Sequence, residues 1–457
     1  MSCSCNEFSR ATLLRRSVAE AGNGLPVIEP GMPIPAGSGL NRRTFLARAA
    51  GLALSVYGAG KLPLGLFEEG IARAAAPTDP ILVSVFLDGG ADSLSMLFPA
   101  GHPQYNSLRP QLALPASAGQ PFAEDTSLRW HPSLASLAEL HGEGKVTVIP
   151  AIGYTNADQS HFTSRHYWEV GATDPHLRTG WLGRYLDIAG TSDNPLQGLA
   201  LSDSLHPALA SANVPIAAVS QIDDYDFWAA NVWGEPEVRM LDALGTFRPA
   251  SDPAHAKVAE VTAQVARLRS QLVPFDGGNW GSMATYPTSS NPFPSRLAGL
   301  AALIAAGLPL RCVTVSAPGM YDTHADQATD LGTALSLTAD SLRAFQRDLE
   351  ARGLADRVLV HVWSEFGRRG EENGSLGTDH GAAGLGLLIG SQVQGTMLGG
   401  FPGLATGSGG GLDGQGNLKA TFDFRALYSA LLDQWLGADA DAIIPNASSF
   451  AQPTLLK

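Results

Sequence analysis

The sequence predicts an α/β fold, a mostly parallel sheet with helices on both faces. Short, near-continuous apolar runs rich in Val, Ile and Leu suit strands buried on both sides, and helix-period segments lie between them. Size agrees: 457 residues exceed the about 100–200 of a typical domain yet suit one large α/β domain carrying an insertion.

The elements follow in chain order. Ile81 to Leu87 reads as the opening strand, and Val146 to Ile152 as a second after a helix-like stretch from Ser133 to His141. Arg311 to Ser316, Val358 to Trp363 and Leu385 to Ile389 read as further strands, with helices at Ser295 to Leu308 and Leu331 to Leu354. The region from about 192 to 291 breaks this alternation. It is rich in Asp, Pro, Trp and Gly, holds one helical stretch from Ala256 to Leu272, and reads as an insertion placed to cap a site. The segment 403–416 carries seven glycines and reads as a flexible loop.

Charge removes one class of partner. Lys and Arg number 30 against 43 Asp and Glu, a formal net charge of −13, and beyond residue 48 the one basic cluster is the pair Arg368 and Arg369. Nucleic acid is therefore not expected.

Residues 1–76 read as a leader. Asn41-Arg42-Arg43-Thr44-Phe45-Leu46 is a twin-arginine stretch, followed by apolar runs at 49–57 and 62–67 and by Ala74-Ala75-Ala76, a small-residue cleavage site. The order is that of a Tat signal. It implies the Tat translocase as a partner, a periplasmic or secreted destination, and a folded domain over 77–457. Gly51, Gly58, Gly60, Pro63 and Gly65 interrupt the apolar region, which is shorter than the ~20 residues of a membrane span. Cys3 and Cys5 leave with the leader. Cys312 then stands alone in the apolar run Cys312-Val313-Thr314-Val315 and reads as a core thiol.

Polar residues cluster at the ends of the strand-like runs. Leu87-Asp88-Gly89-Gly90-Ala91-Asp92 follows the first strand, and Asp322-Thr323-His324-Ala325-Asp326 follows the run ending at Ser316. Ser364-Glu365-Phe366-Gly367-Arg368 follows Trp363, and Thr378-Asp379-His380-Gly381 precedes the next strand. Sheets of this class bind ligands beyond the carboxyl ends of their strands. Carboxylates with two imidazoles are the donor set of zinc, manganese or another divalent cation. Each residue also has a plainer role open to it: Asp88, Asp322 or Asp379 capping a turn, or Glu365 pairing with Arg368.

Together with Ser160-His161-Phe162 and Gly180-Trp181-Leu182-Gly183-Arg184, these motifs resemble a Tat-exported bacterial family of unknown function (domain of unknown function fifteen-oh-one) in the alkaline-phosphatase-like superfamily. The resemblance implies an alkaline-phosphatase-like fold and a one- or two-metal site for a phosphate or related ester. Carried over, Asp88, Asp322, His324, Glu365 and His380 become ligands of zinc, manganese, magnesium or calcium. Ser160 falls at the nucleophile's position, and His161 becomes a ligand, base or phosphate contact. Asp92, Asp326, Arg368 and Asp379 become supporting neighbours. Ser160 has a second reading as the N-cap of the helix-like stretch Phe162 to Val170.

Phosphatases of that superfamily carry a His after the acidic residue held here by Glu365, and this chain has Phe366, which puts one metal site in doubt. No Cys-x-Pro-x-Arg, Gly-x-Ser-x-Gly or Gly-x-x-x-x-Gly-Lys-Ser/Thr motif occurs, which argues against formylglycine, serine-hydrolase and P-loop chemistry. Two functions follow. One is an exported metal-dependent hydrolase of a small anionic ester, and the other a catalytically inactive relative serving as an exported binding or assembly protein.

Overall fold

The computed structural model describes residues 31–37, 56–57, 79–223, 225, five positions between 235 and 243, and 253–457 apart from 408. The twin-arginine stretch and the cleavage site lie outside the described residues. The chain divides into two compact units: residues 1–79, 173–280 and 306–314 form one, and 80–172, 281–305 and 315–457 the other.

In the larger unit the chain order is β1 (Ile81–Phe86), α1 (Ala135–Gly142), β2 (Val146–Gly153), α2 (Thr163–Val170), α3 (Phe293–Ala305), α4 (Gln327–Ala351), β3 (Val358–Trp363), β4 (Arg368–Glu372), β5 (Thr378–His380), β6 (Gly384–Ile389), β7 (Phe422–Asp423) and α5 (Phe424–Ala430). Its sheet runs β1-β3-β6-β2-β7. β1 and β3 pair in parallel from Ile81↔Val358 to Phe86↔Trp363, and β7 pairs in parallel with β2. β6 runs antiparallel to both its neighbours, with an irregularity between Gly384 and Gly386. The sheet is thus mostly parallel with one reversed strand, and every residue of β1, β2, β3 and β6 is buried. Burial on both faces is why these segments read as unbroken apolar runs. The one hydroxyl in β1 is satisfied, since Trp363 Nε1 donates to Ser84 Oγ at 2.9 Å.

α3 buries Leu297, Leu300 and Leu303, and it packs with α1 on α4, which buries Leu331, Leu335, Leu342, Phe345 and Leu349. In the glycine-rich segment two leucines are buried. Leu404, Leu412 and Leu418 sit in one cluster with Leu94, Phe98 and Tyr105. Lys419 Nζ donates to the carbonyls of Gly407 and Gly410.

In the smaller unit the strand Gly198–Ala200 pairs in parallel with Ile216–Ala218 on one side and with residues 312–314 of the strand Cys312–Ser316 on the other. Cys312 is fully buried with its thiol pushed up by desolvation, as a core thiol should be. The helix Trp181–Ala189 approaches the backbone so closely that a Cβ on Gly183 would stand 2.2 Å from the Ala210 carbonyl oxygen. Among the described residues no helix is long and apolar enough to cross a membrane.

Candidate functional site

The turn after β1 is built on two left-handed glycines, Gly89 at φ +122° and Gly90 at φ +82°. Their amides point at the first residues after β3. Gly89 N–H donates to both Glu365 carboxylate oxygens at 3.1 and 3.2 Å, and Gly90 N–H to Oε2 at 3.1 Å. Ser364 Oγ accepts from Gly90 and Ala91 and donates to the Leu87 carbonyl. A Cβ on Gly89 would stand 2.3 Å from the Asp322 amide nitrogen. Gly89→Ala therefore strains the turn and displaces Asp322, and it should lower stability by about 1–3 kcal/mol in urea unfolding.

Asp322 is held from several sides. Tyr321 N–H donates to the Asp88 carbonyl at 2.9 Å, which ties the loop to the β1 turn. β4 and β5 form an antiparallel hairpin that sets Arg368 opposite His380. Its turn is closed by Asn373 Oδ1, which accepts from Ser375 and Gly377, while Asn373 Nδ2 reaches the His324 carbonyl at 3.0 Å. The fully buried Arg368 guanidinium donates to Asp322 Oδ1 and to the carbonyls of Gly89, Gly90 and Thr378.

Three imidazoles converge on the Asp322 carboxylate. Nε2 of His324 and of His380 lie 3.1 and 3.2 Å from Oδ1 and 3.0 Å from each other. His161 Nε2 is 3.5 Å from Oδ2. Each ring is fixed from its other nitrogen. His161 Nδ1 meets Glu365 Oε1 at 2.8 Å, His324 Nδ1 meets Asp379 Oδ1 at 3.4 Å, and His380 Nδ1 meets the Gln159 carbonyl at 2.8 Å. A carbonyl only accepts, so His380 Nδ1 carries its proton and Nε2 of the neutral ring holds a lone pair. His324 Nε2 is an acceptor as well, since Arg368 Nη1 donates to it at 3.4 Å. Two lone pairs and a carboxylate oxygen therefore face one point.

That arrangement fits a cation. Ligand atoms 2.0–2.1 Å from a tetrahedral ion stand about 3.3 Å apart, close to the 3.0–3.5 Å separations observed. Imidazole Nδ1 groups tied to oxygen acceptors are the outer-shell pattern that fixes metal-ligating histidines. The charge balance agrees: Asp88, Asp322, Glu365 and Asp379 are set against Arg165 and Arg368, so neutral imidazoles leave the site negative. Among the described residues, His161, Asp322 and His380 offer ligand atoms that all lie within 4.8 Å of one another, and His324 stands outside that mutual limit.

Electrostatics follow the contacts. Burial works against charge on His161, but hydrogen bonds to Asp322 and Glu365 prevail and hold its pKa at about 9. Burial would raise the Asp322 carboxyl, yet its polar contacts with His161, His324 and His380 and the charge of Arg368 hold it far below the usual range. Burial lowers His380. Asp88 is pushed up, mainly by burial, with Arg165 opposing.

The expected site residues divide into groups. Asp322, His324 and His380 face one another directly, and His161 joins them from a helix start. Asp88 lies beside them at the β1 turn, with Oδ2 3.6 Å from Arg165. Glu365 is turned toward the glycine amides and His161. Ser160 Oγ accepts from the amides of Phe162 at 3.1 Å and Thr163 at 3.4 Å, capping the entry to α2. Of the supporting residues, Arg368 and Asp379 contact the cluster. Asp92 forms a buried pair with Arg109, and Asp326 begins α4 in a left-handed conformation at φ +48°. Sequence reasoning missed Arg165, whose guanidinium lies 4.5 Å over the Phe86 ring and binds Glu169 at 2.8 Å. The signal was its i,i+4 spacing to Glu169 on α2. Phe366 is buried, its ring centroid 5.0 Å from that of His161 and 4.6 Å from that of His380. An apolar ring thus fills the space beside the two imidazoles.

The family model described as "Protein of unknown function (DUF1501)" matches residues 131–443. The chain belongs to that family. It is the family to which the motifs pointed. No curated protein matches the sequence. Among solved structures, the lipoteichoic acid synthase LtaP from Listeria monocytogenes is 8% identical, with 80% of this chain and 74% of that chain covered and a TM-score of 0.33. The PsFucS1 sulfatase from Pseudoalteromonas sp. is 11% identical over 90% and 74%, TM-score 0.33. The phosphonate monoester hydrolase SpPMH from Silicibacter pomeroyi is 12% identical over 82% and 75%, TM-score 0.30.

Proposed function

We propose that the protein is an exported hydrolase of a phosphate or other anionic ester that holds one divalent ion on Asp322, His324, His380 and His161. The observation that carries this reading is the shared orientation of three imidazoles, each with Nδ1 tied to an oxygen and Nε2 turned to one carboxylate. A nitrogen-rich set favours zinc over magnesium or calcium, which take oxygen ligands. When bound, the ion supplies Lewis-acid polarisation of an ester oxygen.

The chain's own groups do the rest. Arg165, with its side chain 21% exposed, offers a fixed positive charge to an anionic group. Phe366 keeps water from one side of His161 and His380. Ser160, next to His161, is the hydroxyl at the nucleophile's position, and its oxygen accepts from the Phe162 and Thr163 amides. Protonated His161 must lose a proton for Nε2 to bind an ion, so ion affinity rises as pH approaches about 9. Export rests on Arg42 and Arg43, outside the described residues, and the described residues, whose one cysteine is the buried Cys312, form a domain suited to crossing the membrane already folded.

Phe366 also favours a second reading, an exported ion-binding protein without turnover, because it occupies the position where a second ion would need a histidine. Turnover of an aryl phosphate by the zinc-loaded chain separates the two. The hydrolase reading expects chelator-sensitive hydrolysis that Ser160→Ala abolishes, a loss far beyond the about 1 kcal/mol of stability that removing the cap on α2 costs. Absence of turnover with zinc or manganese supports the second reading. Activity that survives Ser160→Ala assigns attack to water.

A further inference from the structure

We propose that Glu365 is a positioning residue, which orients His161 and pins the Gly89-Gly90 turn, and that it does not ligate the ion. The inference rests on the reading of the histidine cluster as a metal site, and it departs from the ligand role that the resemblance implies for this residue.

The Glu365 oxygens already have their lone pairs in use. A carboxylate has about four acceptor sites. Oε1 receives Gly89 N–H at 3.1 Å and His161 Nδ1 at 2.8 Å. Oε2 receives Gly90 N–H at 3.1 Å and a second share of Gly89 N–H at 3.2 Å, with Ser364 Oγ also 3.1 Å away. Glu365 is fully buried, so no solvent-facing site remains on it. Successive amides in left-handed backbone form a concave anion nest. Gly89 and Gly90 make such a nest, and Glu365 is its anion. Breaking that contact to reach an ion leaves two buried amides unsatisfied, each at a cost of about 1–3 kcal/mol.

The same carboxylate decides what His161 does. Accepting from Nδ1, it turns Nε2 toward Asp322 Oδ2. Glu365 therefore acts on the site through His161 and through the turn that abuts Asp322, in the manner of an outer-shell carboxylate.

The test uses the full chain, zinc titration with metal analysis, and the imidazole ¹⁵N spectrum of the ion-free protein. Glu365→Gln should keep one zinc per chain with affinity about 10–100-fold weaker, and it should alter the His161 ring signals before any zinc is added. Stoichiometry falling to that of Asp322→Asn would overturn the inference, as would an unaltered His161 spectrum. If wild type itself takes up no zinc, the metal reading fails, and the ion-free His161 spectrum alone decides the positioning role. Should the Gln variant not fold, Glu365→Asp, too short to reach His161 and both glycine amides together, is read by the same two measurements.

Discussion

Asp322→Asn should abolish zinc binding, with affinity lowered at least about 1,000-fold. The carboxylate is the one group that all three imidazole Nε2 atoms face. An amide is a weak ligand, and its NH2 would oppose either Arg368 or an imidazole. The substitution also leaves the Arg368 guanidinium, 0% exposed, without its counter-charge, and removing one partner of a buried pair costs about 3–5 kcal/mol. Calorimetric zinc titration and urea unfolding read the two effects separately. An Asp322→Asn protein that binds zinc like wild type contradicts the ligand assignment. A second control, Asp379→Asn, alters the contacts of Asp379 Oδ1 with His324 Nδ1 and Asn373 Nδ2 and should weaken zinc about 10-fold.

Asp92→Ala should be the most destabilising single change outside the cluster, by about 3–5 kcal/mol. Asp92 and Arg109 are both fully buried, and the fork of Arg109 spans both carboxylate oxygens. Ser95 Oγ and Gln327 Nε2 complete the set on Oδ2 at 2.7 and 2.6 Å. Arg109 also donates to the carbonyls of Arg369 and Gly370 on β4. Gln327 Oε1 accepts from Thr323 and from Thr378 on β5. A buried polar chain thus runs from Arg109 to the hairpin that carries Arg368 and His380. Loss of Asp92 strands a buried cation and loosens that hairpin, so melting temperature and zinc affinity should fall together. Burial opposes the charge on Asp92, yet Arg109 holds its pKa below 3.8. The pair's contribution is therefore present above pH 3.8 and fades as pH falls through the lower folded value. Adding Arg109→Met to Asp92→Ala should recover much of the loss, and a double variant as unstable as Asp92→Ala alone would show that the cost is packing.

The strands of the larger unit were legible because burial on both faces leaves unbroken runs such as Ile81 to Phe86 and Val358 to Trp363. Direction was less so. Gly384–Ile389 looks like its neighbours by composition, and only its pairing shows it reversed. The β4–β5 hairpin was hidden because Arg368-Arg369-Gly370-Glu371-Glu372 has the composition of a loop. Its signal was Asn373-Gly374 between the two arms. At the site, strand ends told which residues gather but not which of their atoms are already committed. Glu365 and Ser160 both lie near the cluster, yet backbone amides take the Glu365 oxygens, and Phe162 and Thr163 take the Ser160 hydroxyl oxygen. His324 and His380 were legible as candidate ligands by type, and the fixing of their Nδ1 atoms by Asp379 and Gln159 was not, since it depends on contacts across 55 and 221 residues (residues 324 to 379, and 159 to 380).

Zinc stoichiometry of the metal-stripped chain, followed by X-ray absorption spectroscopy of the bound ion, decides whether the histidine cluster is a metal site. One zinc per chain is expected, in a shell of imidazole nitrogen with carboxylate oxygen at about 2.0–2.1 Å, lost in the Asp322→Asn and His380→Ala variants. A chain that stays ion-free under saturating zinc, or that binds it equally well in those two variants, contradicts it.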